Sequence, residues 1–316
     1  MMLLSIAKKT RTLLMGVTSS VAGASEVALG MLLSIVSSRL VPCVPAKDRA
    51  RDSLIVCPSP LLDQQIVNPA FRGHYVISFV NSACLSPTFQ TLKPERMFLI
   101  DPAFFQDHPA GDEVMNSGVE RTLARIAVAT DWPMSLMIPW HYRHSAIVKW
   151  IQANPNIRIV GLPVCNARSH NKFFKKLGLR LGVVNPVYQN VLIAAVFYSL
   201  KAGHTRTLIW GGHHNWLAEV AVDGHNQVLH SVRHSGEQHV GVPLVDMDGS
   251  PRLYHTYLRQ LATVFEQYHV IRDYTRGTGQ VVLNATAESF IDAFERIDSI
   301  SLFSPKRDDD DHKQSL

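Results

Sequence analysis

Six histidines crowd one stretch of the chain: His213, His214, His225, His230, His234 and His239. Imidazole titrates near neutral pH, so such residues can accept a proton from a hydroxyl or ligate a metal. Metal binding fits poorly. Adjacent histidines rarely hold one ion, and Ser231-Val232 between His230 and His234 reads as strand or loop, not as a helix that would put both on one face. No metal ligand is therefore expected, and the candidates for a general base are His234, His213 and His214. Just upstream, Tyr188-Gln189-Asn190 places polar groups at a helix N-terminus, a natural phosphate site. A strand at Thr207 to Trp210 then ends in Gly211-Gly212, followed by His213, His214, Asn215 and Trp216. Paired glycines let a ligand approach the backbone.

The elements that must position these groups follow an alternating pattern. Short apolar strands are expected at Leu54 to Cys57, Tyr75 to Val80, Met97 to Ile100, Ser135 to Ile138, Ile157 to Val160 and Thr207 to Trp210. Helical patterns fall between them, at Ser117 to Thr130, His144 to Ala153 and Asn190 to Ala202. Strands alternating with helices predict an α/β fold: a mainly parallel, Rossmann-like sheet with helices on both faces. In such sheets ligands bind outside the carboxyl ends of the strands. Ser59, Asn81, Asp101 and the Gly211–Trp216 cluster would gather there. Asn284 to Arg296 reads as a strand leading into a helix, with Thr286 as N-cap and Asp292 and Arg296 paired one turn apart.

The composition bounds the class. The 316 residues are 46% hydrophobic and 18% charged, with a formal net charge of +5. This is a globular chain, and neither its charge nor any motif signals nucleic acid. Four cysteines lack paired spacing, and Cys57 and Cys84 sit in apolar runs as buried thiols. Residues 1–45 are apolar, with Lys8, Lys9 and Arg11 near the start. Two arrangements fit them: amphipathic helices lying on the inner membrane face, or a helical hairpin packed on the domain. Residues 46–52 read as a linker, 53–300 as the α/β domain, and 301–316 as an acidic disordered tail.

The turn Pro58-Ser59-Pro60-Leu61, the strand ending in Asn81, and Asp101-Pro102-Ala103-Phe104-Phe105 resemble the bacterial sialyltransferases of the Campylobacter type. Those enzymes carry Gly-Asn-Gly-Pro-Ser-Leu, an Asn, and Asn-Pro followed by aromatics at these places. The chain is more similar still to uncharacterised relatives from surface-polysaccharide gene clusters. Their C-terminal motif matches Asn284-Ala285-Thr286-Ala287-Glu288-Ser289-Phe290-Ile291-Asp292-Ala293-Phe294-Glu295-Arg296. There are departures. The first turn has lost both glycines, Asp101 replaces an Asn, and His213 stands where the relatives have Asp. A proline turn cannot offer the same backbone cradle.

The resemblance implies a sialyltransferase-like glycosyltransferase that works without metal or other cofactor. Its donor would be a nucleotide-activated sugar, of which a CMP-linked nonulosonate is one example. Its acceptor would be a glycan or lipid-linked glycan in surface polysaccharide synthesis, on the cytoplasmic side of the inner membrane. By position it makes His234 the base, with Arg233 beside it and His213 as a further catalytic residue. It places Ser59, Asn81, Asp101, Tyr188, Gln189, Asn190, Gly211, Gly212, His214 and Trp216 around the donor. Two other readings stand beside it. One is a Mg²⁺-dependent pyrophosphokinase using Asp63 and Asp101; the other is a non-catalytic scaffold in a polysaccharide assembly complex.

Overall fold

The computed structural model describes residues 18, 20–29, 49–59, 62, 71–105, 118–166, 172–234, 237–246 and 249–298. The apolar runs form strands β1 (Asp52–Val56), β2 (Tyr75–Val80), β3 (Arg96–Phe98), β4 (Met134–Pro139), β5 (Ile157–Leu162) and β6 (Arg206–Trp210). After β6 the chain makes a small antiparallel sheet of β7 (Val220–Val222), β8 (Val228–His234) and β9 (Glu237–Pro243), and it returns as β10 (Val281–Asn284) and β11 (Glu295–Arg296). The main sheet has eight strands in the order β11-β10-β6-β1-β2-β3-β4-β5. Every neighbouring pair is parallel, so all eight strands end on one edge.

Side chains alternate between two cores, as the pleat requires. Leu54 and Val56 of β1 enter one core with Phe79, Phe89 and Trp132, whereas Ile55 enters the other with Phe197 and Tyr268. Helices Gly118–Ala129 and Ala146–Ile151 cover the first face; helices Lys172–Leu181, Val191–Lys201 and Tyr254–Thr275 cover the second. Helix Val191–Lys201 is apolar all round because it is enclosed all round: every residue from Val191 to Leu200 is buried. A sheet covered on both faces by crossover helices is what near-continuous apolar strands require.

The pattern-derived strands lie within one or two residues of those observed. Asp52, expected in the linker, opens β1 and pairs with Arg206 at 3.1 Å. Cys57 and Cys84 are buried free thiols, each pushed up to about 12 by burial, so neither is a ready nucleophile. The described part of the N-terminal segment, residues 20–29, is helical, and its Val27 is buried beside Leu179 and Val184. Among the described residues no helix is long and apolar enough to cross a membrane. The tail at 301–316 lies outside the described residues.

One expectation is overturned. Residues 285–294 form no helix, and Arg296 belongs to β11. The polar side chains of this loop bond to backbone instead: Thr286 Oγ1 accepts from Gly212 N at 3.0 Å, Ser289 Oγ donates to Gly212 O at 2.6 Å, and Ile291 N donates to Ser289 Oγ. Such local bonds compete with helix formation. Asp292 lies 3.3 Å from His269, and Arg296 bonds to the Ser289 carbonyl, so the expected Asp292–Arg296 pair does not form.

Candidate functional site

From β1 the chain winds outward through β2 to β5, then returns to place β6 on the other side of β1. The carboxyl ends of β1 and β6 therefore flank the point where the winding reverses, the usual ligand crevice of an open α/β sheet. The ladder runs one step past the strands, with Cys57 N donating to Trp210 O at 2.8 Å. Gly211 then turns away at φ +81°. A Cβ there would lie 2.8 Å from Cys57 O and 3.0 Å from Ser59 Cβ, so only glycine fits.

These turns enclose a cleft of about 940 Å³. Cys57 and Pro58 line it from β1, Val80 and Asn81 from β2, and Gly211 to Trp216 from β6. Asn190, Val191 and Leu192 add the N-terminus of the buried helix, whose dipole favours negative charge. Glu219 to Ala221, Ser231 of β8 and Glu288 close the far wall.

Backbone strain concentrates here. Among the described residues five non-glycines have positive φ, and three of them line the cleft: Asn81 (47°), His214 (57°) and Glu288 (54°). Left-handed backbone costs a non-glycine residue roughly 1–2 kcal/mol, and such conformations cluster at binding sites. Asn81 carries a second signal. Its Oδ1 is buried, and no described group donates to it. Buried acceptors are almost always satisfied, so an unpartnered carbonyl on a cleft wall is a place for a ligand donor.

The two adjacent histidines differ. His214 is enclosed by Trp216, whose ring centre is 4.1 Å away, and by Tyr268, whose hydroxyl lies 2.6 Å from Nε2. Burial, with a smaller effect from His213, drives its pKa down to about 3, so the ring is neutral and shares its hydrogen bond with the Tyr268 hydroxyl in that form. His213 Nε2 lies 3.0 Å from Ser59 Oγ. Burial lowers its pKa, opposed by the Ala287 carbonyl and by the Glu288 and Glu219 carboxylates. Burial thus favours the neutral form of His213.

The cleft brings together Asn81, Asn190, Gly211, Gly212, His213, His214 and Trp216. Ser59 is fully buried behind His213. Asn190 Oδ1 caps its helix, accepting from Leu192 N at 2.7 Å. Tyr188 packs against the core with its hydroxyl pKa raised by burial, and Gln189 is exposed; neither lines the cleft. Asp101 sits two strands away from β1 and accepts from Ala103 N at 2.9 Å, a turn-forming bond. His234 ends β8, paired with Glu237 at the hairpin tip, and Arg233 pairs with Gln238. His234 lies three residues beyond Ser231, about 10 Å along the strand. Among the described residues no three His, Cys, Asp or Glu side chains are grouped as a metal site would need. The sequence reading missed Glu219 and Glu288. The first ends a short 3₁₀ turn without a motif, and the second was hidden in the loop expected to be helical.

No family model matches the chain, and no curated protein matches it in sequence. Among solved structures, that of the MAf glycosyltransferase from Magnetospirillum magneticum AMB-1 aligns over 82% of this chain at 13% identity, with a TM-score of 0.45. The aligned region spans 35% of that protein, about a third of its length.

Proposed function

We propose that the protein is a glycosyltransferase, moving a sugar from a nucleotide-activated donor to a glycan or lipid-linked acceptor in bacterial surface polysaccharide synthesis. The observation that carries this reading is the cleft at the β1–β6 reversal, with the buried, unpartnered Asn81 carbonyl on its wall. About 940 Å³ lies at the upper end of small-ligand pockets, enough for a nucleotide and a sugar together. Trp216 offers a flat face for a base or sugar ring, and the helix N-terminus at Val191 faces the phosphate. The sialyltransferase-like motifs favour a CMP-linked acidic sugar as donor.

The chemistry requires the acceptor oxygen to attack the anomeric carbon as the carbon–oxygen bond to phosphate breaks. The nucleotide departs with the electron pair, and a base takes the acceptor proton. His213 is the base we favour, because it lines the cleft and burial favours its neutral form. His234 with Arg233 is the second candidate, in a role that needs the β8–β9 hairpin to reach over the acceptor. The reaction is proposed to need no metal and to take place at the cytoplasmic face of the inner membrane, with residues 1–44 contributing to attachment.

The test is nucleotide release from a panel of CMP-, UDP- and GDP-sugars in EDTA, with a surface-glycan acceptor mixture. Release from one donor, dependent on acceptor and lost in His213→Ala, is expected. Turnover of ATP with Mg²⁺ and of none of the sugar nucleotides would replace this reading with the pyrophosphokinase, with Glu219 and Glu288 as the carboxylates nearest the site.

A further inference from the structure

Helix Lys172–Leu181 carries an apolar stripe that no other described residue covers. Its inner face is firmly seated: Phe174 packs on the core, Leu179 is buried, and Gly178 lets the chain close in. A Cβ on Gly178 would lie 2.6 Å from Val184 Cγ2 and 3.3 Å from Val27 Cγ2. The Lys201 ammonium fixes the helix end, donating to Arg180 O at 3.1 Å and Leu179 O at 3.5 Å. The outer face is different. Phe173, Leu177 and Leu181 recur one turn apart and are 68%, 36% and 46% exposed. Lys176 and Arg180 are exposed alongside them, and Lys175 is half-buried. The helix at residues 20–29, which meets Gly178 through Val27, adds exposed Val21 and Leu29.

An exposed apolar stripe bordered by basic side chains, on a helix whose other face is anchored, fits a surface that is greasy beneath and negative on top. We propose that this helix is a membrane-docking element of the folded domain, laying Phe173, Leu177 and Leu181 into the acyl boundary of an anionic phospholipid leaflet. Lys176 and Arg180 meet the headgroup phosphates. The charge of the row selects this occupant, because an acyl boundary topped by anionic headgroups matches both halves of the face at once. The inference rests on the membrane-face placement proposed above and not on the transfer reaction. Vesicle binding is measured without donor or acceptor, so either can fail alone.

The experiment is flotation of the full chain with vesicles of phosphatidylglycerol and phosphatidylethanolamine, against vesicles of phosphatidylcholine. Two double variants are run beside it, Phe173→Ser with Leu177→Ser and Lys176→Glu with Arg180→Glu. The first leaves the buried face unchanged, the second also changes the charge near buried Tyr274, and an unchanged melting temperature confirms folding of both. The unmodified chain should float with the anionic vesicles, less so at high salt. Each double variant should lower the bound fraction about tenfold or more. Undiminished flotation of both variants would overturn the proposal and move attachment to residues 1–44. So would a chain that binds no vesicles but forms a dimer that the Phe173→Ser, Leu177→Ser variant dissolves.

Discussion

Ser59 Oγ and His213 Nε2 lie 3.0 Å apart although 154 positions separate them, which joins the turn after β1 to the turn after β6. The contact holds the His213 ring in place at the cleft. If His213 is the base, His213→Ala should lower turnover by about 10²–10⁴-fold, whereas His234→Ala should cost far less. Ser59→Ala should lower kcat more modestly, on the order of tenfold, with about 1 kcal/mol lost from stability through the missing hydrogen bond. Steady-state kinetics of the three variants decide it. Near-normal turnover in His213→Ala with loss in His234→Ala would assign the base to the hairpin.

Asn81 combines a φ of 47° with a buried, unpartnered Oδ1. Asn81→Gly keeps the left-handed backbone accessible and removes the amide. It should leave the melting temperature nearly unchanged while raising the donor KM about tenfold, the loss of one ligand hydrogen bond of about 1.4 kcal/mol. Asn81→Ala should lose the same contact and also some stability, because alanine resists that backbone.

His214 makes stability depend on pH. Its folded pKa of about 3 lies below the ordinary histidine value near 6.5, so between those values the unfolded chain binds more protons. Stability contributed by the neutral ring is full above pH 6.5 and falls as pH drops toward 3. At pH 5 the loss is up to about 2 kcal/mol. His214→Asn tolerates the left-handed backbone and does not titrate. Its melting temperature should be lower than the native chain's at pH 7.5 and fall less between pH 7.5 and pH 5.

Gly211→Ala should be among the most damaging single changes. The new methyl group would sit 2.8 Å from a backbone carbonyl at a φ of +81°, with no flexible neighbour to yield. A loss of about 2–4 kcal/mol is expected in chemical denaturation, from overpacking and backbone strain together.

The alternation of apolar strands with helices made the main sheet legible, because strands buried on both faces must be continuously apolar. β2 at Tyr75–Val80 was readable to the residue, and the buried helix to within one residue at each end, with Asn190, expected as its first residue, acting as its N-cap. The β1–β6 crevice was foreseeable from Gly211 and the polar cluster after it. The small antiparallel sheet was not, because β7 is largely exposed and Leu229 to Ser231 of β8 are uniformly half-buried, so neither shows a core-directed alternation. Helix Tyr254–Thr275 was missed as well. Its buried positions, such as Leu261, Val264, Tyr268 and Ile271, are interleaved with histidine, arginine and glutamate. The error at Asn284 to Arg296 has one cause: Thr286 and Ser289 look like helix-start residues, but their hydroxyls bond to Gly212, a partner 70-odd positions away that only the fold reveals.

The central claim is that a sugar nucleotide occupies the cleft between the ends of β1, β2 and β6. Amide hydrogen exchange with and without each member of a sugar-nucleotide panel, in EDTA, addresses it most directly. The account predicts that one donor slows exchange about tenfold or more at Cys57 to Ser59, Asn81 to Ser82 and Gly211 to Trp216 together, since a bound ligand suppresses the local openings that permit exchange. Protection confined to other segments, or no protection by any sugar nucleotide, would contradict it.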